Sequence, residues 1–169
     1  MTSFSLRSVR LRPGEEHRDV VEIEITPIEL GGQLYLAVPE KVPAELAIQQ
    51  ASTGTVFELR FAARLHGPCF RCLADAALDE RIAVREYQAT TSDGDPELQN
   101  PYLTEDLLDL SAWARDALIL SLPQQILCRP DCAGLCPFCG RDLNAEPHEH
   151  DEETPDSRWA ALEQLRDAL

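Results

Sequence analysis

The first 90 residues alternate between apolar and polar positions with a period of two, the pattern of half-buried strands. Val21, Ile23 and Ile25 alternate with Val20, Glu22 and Glu24. The clearest run sets Phe57, Leu59, Phe61, Ala63 and Leu65 against Val56, Glu58, Arg60, Ala62 and Arg64. Leu34 to Val38 and Leu46 to Ile48 predict shorter strands, bounded by Gly31-Gly32, Pro39 and Pro43. Leu78, Ile82 and Val84 predict another near 76–88. Gly67-Pro68-Cys69-Phe70-Arg71-Cys72 lies between the last two runs and reads as a hairpin tip.

The period then changes. Residues 90–102, TTSDGDPELQNPY, are turn-rich and acidic and predict a mobile loop. A helix is predicted next, with Thr104 as N-cap and Glu105 and Asp106 in the first turn, where the helix dipole favours acids. Leu103, Leu107, Leu110, Ala114, Ala117 and Leu118 trace its apolar face, with Trp113 at the flank and Pro123 closing it near Leu122. Beyond residue 127 the chain is rich in Cys and Pro and poor in apolar side chains. At the end, Asp156 or Ser157 caps a short helix whose Trp159, Leu162, Leu165 and Leu169 share one stripe. The expected fold class is α+β. An N-terminal antiparallel sheet packs with one long helix over residues 1–126, and residues 127–169 form a metal-stapled tail whose short helix packs on the same core.

A chain of 169 residues with 44% hydrophobic composition has enough material for one ordinary core. No stretch approaches the roughly 18 apolar residues that a membrane span requires. Arg7, Arg10, Arg12 and Arg18 are followed by no apolar run, so no secretory signal is read and a cytoplasmic location is expected. There thiols stay reduced, and Cys pairs read as metal ligands rather than disulfides. The net charge of -15 is unevenly spread. Residues 1–85 hold 10 basic and 12 acidic side chains, whereas residues 86–157 hold 3 basic and 16 acidic ones. The second region would repel a phosphate backbone, so RNA contact, if any, falls to the N-terminal half, where Arg7, Arg10, Arg12, Arg60 and Arg64 are the candidates. The acidic half suits a basic protein partner or plain solubility.

Six cysteines and two histidines form four close pairs: Cys69/Cys72, Cys128/Cys132, Cys136/Cys139 and His148/His150. Structural zinc takes four Cys or His ligands, often as two such pairs, so eight ligands predict two structural zinc ions. Cys136-Pro-Phe-Cys139-Gly140 has the form of a knuckle, and His148 and His150 complete it locally. Cys69 and Cys72 then share an ion with Cys128 and Cys132. The rival assignment joins Cys69, Cys72, Cys136 and Cys139 as a ribbon and leaves Cys128, Cys132, His148 and His150. His17 and His66 have no ligand context and read as ordinary histidines.

Enzyme readings fare poorly. Pro68-Cys69-x2-Cys72 matches half of a zinc deaminase signature, but no H-x-E precedes it to shuttle the proton. A thioredoxin-like dithiol belongs at a helix N-terminus, whereas this pair precedes a strand pattern. There is no P-loop, GxSxG or HExxH. The chain is expected to be non-enzymatic, without a small-molecule substrate.

Several segments resemble the YceD family of large ribosomal RNA subunit accumulation proteins. They are Cys69-Phe-Arg-Cys72-Leu73, the helix from Asp109-Leu110 to Leu120-Ser-Leu-Pro123, the string from Cys128 to Asn144, and Pro155-Asp156-Ser157-Arg158-Trp159-Ala-Ala-Leu162. The resemblance covers roughly residues 55–169 and implies a role in large-subunit biogenesis, in the accumulation or processing of 23S ribosomal RNA. The implied partner is the pre-50S particle, through a basic ribosomal protein or 23S rRNA. Family members often carry Cys-x-Cys where this chain has His148-x-His150, and some keep only ligands resembling Cys69, Cys72, Cys128 and Cys132. Two other readings stand beside this one: a zinc-ribbon module that binds nucleic acid or regulates transcription, and a thiol redox switch.

Overall fold

The computed structural model describes residues 2–91 and 98–150. A short strand, β1 (Ser3–Ser5), is followed by a turn of 3-10 helix at Leu6–Ser8. The alternating runs then become β2 (Glu16–Glu24), β3 (Ile28–Leu30), β4 (Gln33–Ala37), β5 (Lys41–Gln50), β6 (Gly54–Pro68) and β7 (Asp75–Ala89). All pairings are antiparallel, in the order β2-β5-β6-β4-β3, with β7 along the other edge of β6. β6 first pairs β5, from Gln50↔Thr55 to Ala44↔Phe61, and then β4 at Ala37↔Leu65 and Leu36↔His66. The sheet therefore forks along one edge of β6.

Period-two patterning decides which side chains form the core. Ile23, Leu46, Ile48, Phe57, Leu59 and Leu65 are buried on one face, while Arg60, Ala62 and Arg64 point to solvent on the other. Burying a side chain of this size contributes roughly 1.5–3 kcal/mol, so the alternation also fixes the register. Pro43 does not bound a strand as expected. It lies inside β5, just ahead of Ala44, where the ladder with β6 begins.

The region after residue 98 departs from expectation. Residues 103–109 are not helical: β8 (Leu103–Thr104) and β9 (Leu107–Asp109) form a second sheet of order β1-β9-β8. Glu105 turns between them with a φ of 55°, so Thr104 caps nothing and Glu105 and Asp106 occupy no helical turn. The helix, α1 (Leu110–Ser121), is shorter and starts later, capped by Asp109, whose carboxylate accepts the Ala112 N–H at 3.0 Å. The Thr2 carbonyl accepts the N–H groups of Leu110 and Ser111. Trp113 is fully buried rather than flanking, with its indole stacked on Tyr102 at 6.2 Å. The described residues are thus mostly antiparallel sheet with a single 12-residue helix, which bears out the α+β reading only in part.

The described residues fall into two compact units, one up to Cys132 and one from Ala133. The tip of the acidic loop (92–97) and the terminal helix read over 156–169 lie outside the described residues.

Candidate metal centres

The hairpin of β6 and β7 carries Cys69 and Cys72 at its tip. Several contacts shape that tip. The buried Tyr35 hydroxyl donates to the Pro68 carbonyl at 2.8 Å, and the Cys69 N–H donates to the Ala74 carbonyl at 2.7 Å. Gly67 has to be glycine, because a Cβ there would stand 2.5 Å from the Tyr35 ring and 2.8 Å from the Leu34 carbonyl oxygen. The Leu73 N–H returns to the Cys69 carbonyl at 3.0 Å, with Leu73 left-handed at φ 61°.

The segment after α1 supplies the other pair. The Phe70 N–H donates to the Ile126 carbonyl at 2.9 Å, and the Arg71 guanidinium donates to the Cys132 carbonyl at 2.9 Å. These two bonds bring Cys128 and Cys132 against the tip. Cys69 Sγ lies 3.8 Å from Cys132 Sγ, and Cys72 Sγ lies 3.6 Å from Cys128 Sγ. Disulfide sulfurs would be about 2.05 Å apart. Four sulfurs around one tetrahedral ion at about 2.3 Å have edges of about 3.8 Å. The observed separations fit an ion, and all four ligand atoms lie within 4.8 Å of one another. Cys69 and Cys132 are fully buried, Cys72 nearly so, and Cys128 exposed.

Electrostatics point the same way. Burial alone would raise the Cys69 thiol, but backbone N–H groups at Cys72, Cys128 and Arg71 outweigh it and bring the thiol to about 6. Cys128 goes the other way, to about 12, chiefly through its contact with Cys72. Thiolates this close repel, so the cluster alone keeps protons that a divalent cation would displace.

The second group lies wholly within residues 133–150. Its Cys-x2-Cys turn repeats the first: the Gly140 N–H returns to the Cys136 carbonyl at 2.9 Å, and Gly140 has a φ of 71°. Leu135 and Asp142 bridge across this turn, and Asn144 accepts the Ala133 N–H at 2.8 Å. Cys139 Sγ lies 3.1 Å from His148 Nε2. The opposite ring nitrogen, Nδ1, donates to the Glu146 carbonyl at 2.7 Å, which leaves Nε2 with its lone pair toward the cluster. Cys136, Cys139, His148 and His150 each place a ligand atom within 4.8 Å of the others. Burial would raise the Cys136 thiol, but the N–H groups of Cys139 and Phe138 bring it to about 6.

The two sets gathered here are therefore 69/72/128/132 and 136/139/148/150, and each can hold a metal ion; the ribbon assignment is not formed. Tyr35, Arg71 and the Glu146 carbonyl, which orient these ligands, escape a reading of the sequence. Arg71 and Tyr35 act across long sequence separations, and no local spacing marks them.

Residues 57–166 match the family model described as large ribosomal RNA subunit accumulation protein YceD. The chain belongs to the YceD family. Both cysteine groups, β7 and α1 fall inside the YceD match. Relatives include uncharacterised proteins of Mycobacterium bovis and Mycobacterium tuberculosis, each 32% identical over 150 residues, a span covering 86% of this chain and 68% of the relative. A Mycobacterium leprae protein, also uncharacterised, is 27% identical over 148 residues, covering 84% of this chain and 63% of its own length. No solved structure matches this YceD chain.

Proposed function

We propose that this chain is a non-enzymatic factor in large ribosomal subunit biogenesis, supporting accumulation or processing of 23S rRNA. The observation that carries the reading is the family match over residues 57–166, which spans both ligand groups. Zinc is the ion proposed for each group, since thiolate and imidazole donors in fours suit it better than carboxylate-seeking cations. Four protein donors per group leave no open coordination position, which catalytic zinc keeps for water or substrate. The ions thus hold the scaffold and do no chemistry. Cytoplasm is the proposed location, where six free thiols persist. Among the described residues, no helix is long and apolar enough to cross a membrane. The partner is a component of the pre-50S particle, either 23S rRNA or a basic ribosomal protein. Deleting the gene and fractionating ribosomes tests this. The expected result is a deficit of 50S particles and 23S rRNA, with the protein sedimenting with 50S precursors at low salt. Normal 23S levels together with no co-sedimentation would reject the proposal.

A further inference from the structure

The turn between Cys136 and Cys139 leaves Phe138 63% exposed, although both neighbouring cysteines are tied into the cluster. Its ring meets that of His150, with centroids 5.3 Å apart and planes tilted by 48°. An aromatic side chain presented on a closed turn binds without the ordering cost of a free loop. The same unit has a groove of about 320 Å³ in which Ala133, Leu143 and Pro147 stand beside His148 and the Glu149 carboxylate. His148 links the two features, with its ring 5.0 Å from that of His150.

Charge selects the occupant. Among the described residues from 133 to 150 the one cation is Arg141, which is ion-paired with Glu146 at 3.4 Å. Asp142 and Glu149 add negative charge, and the sequence continues with Asp151, Glu152 and Glu153. A nucleic acid stacking on Phe138 needs a cationic track for its phosphates, and residues 142–157 contain no Lys or Arg. Basic side chains fit instead. A guanidinium can lie over the phenyl face, and the stem of a second basic residue can enter the groove with its head at Glu149.

We propose that residues 133–150 dock a basic, extended protein segment, with Phe138 as the aromatic anchor and the groove at Glu149 as the second contact. The inference rests on the large-subunit reading only for the particle that supplies the segment. It commits to protein where that reading leaves protein and RNA open.

The test uses the full metal-loaded chain and fluorescence anisotropy with three labelled probes of 12 units each: a peptide alternating Arg and Leu, one alternating Glu and Leu, and single-stranded oligouridylate. The Arg peptide is expected to bind and the other two to bind weakly or not at all. Phe138→Ala should weaken the Arg peptide by about tenfold and Glu149→Gln by several-fold, while Phe138→Tyr retains binding. Arg81→Gln on β7 should change nothing. Metal content per chain, unaltered in each variant, verifies folding. Equal affinity of wild type and Phe138→Ala would overturn the proposal, because charge alone would then explain binding. So would tighter binding of the RNA than of the Arg peptide. Normal 23S levels together with no co-sedimentation, with peptide binding intact, would reject the ribosomal reading and leave the docking surface standing.

Discussion

The two cysteine groups use one turn in two settings. In both, the residue after the second Cys is left-handed and returns its N–H to the first Cys carbonyl, at 3.0 Å for Leu73 and 2.9 Å for Gly140. The first turn caps a hairpin of two 15-residue strands and meets ligands from far along the chain, Cys69 and Cys132 being 63 positions apart. Its thiols are mostly buried. The second turn draws all its ligands from residues 136–150, with Cys139 and His150 exposed. The same turn therefore serves two settings: a bound ion would close a long loop of the sheet unit in one, and in the other would order a short segment that has little apolar surface of its own.

The largest contrast should come from removing one ligand in each group. Cys132→Ser leaves three ligands in a buried setting and should lower the stability of the 1–132 unit by on the order of 5 kcal/mol in urea unfolding followed through Trp113. His148→Ala should cost one ion yet move that same transition by less than about 1 kcal/mol. Equal losses would erase the distinction between the groups.

Chelation should separate them next. With excess EDTA, the exposed group is expected to release its ion first, giving two kinetic phases by a colorimetric metal indicator. His148→Ala/His150→Ala should remove the fast phase, and a single phase in wild type would contradict the contrast in burial.

The smallest effects concern the shared turn. Gly140 has open space where a Cβ would stand and a φ of 71°, so Gly140→Ala should cost about 1 kcal/mol through backbone strain alone. Leu73 already bears that strain, and Leu73→Gly should be neutral or stabilise by up to about 1 kcal/mol in the same unfolding assay. A large loss in Leu73→Gly would show that the exposed leucine contributes packing that outweighs its backbone strain.

Local patterning carries most of the sheet and the ligand pairing. Strict alternation over residues 56–65 fixes the buried face of β6 and excludes one-residue slips, and Gly67-Pro68 between two alternating runs marks the tip that holds Cys69 and Cys72. The start of the helix is not legible. Leu103 and Leu107 fit a helical face as well as a strand, and the partner that decides, β1, lies about 100 residues earlier, Ser5 pairing with Leu107. Within the helix the apolar face is legible, Leu110, Ala114, Ala117 and Leu118 all being buried, and Trp113 belongs to that face instead of flanking it. Strand β5 runs through Pro43 because the ladder with β6 begins only at Ala44. Spacing favours the observed ligand sets over the ribbon without excluding the latter. What gathers the first set is a pair of hydrogen bonds, Phe70 to Ile126 and Arg71 to Cys132, across more than 50 residues.

Zinc per chain, measured by elemental analysis on wild type and on His148→Ala/His150→Ala, tests the central claim that two separate, closed four-ligand sites hold this scaffold. The account predicts two ions in wild type and one in the variant, with the 1–132 unit still folded. A count unchanged by the substitutions, or a variant that loses both ions together, would contradict it.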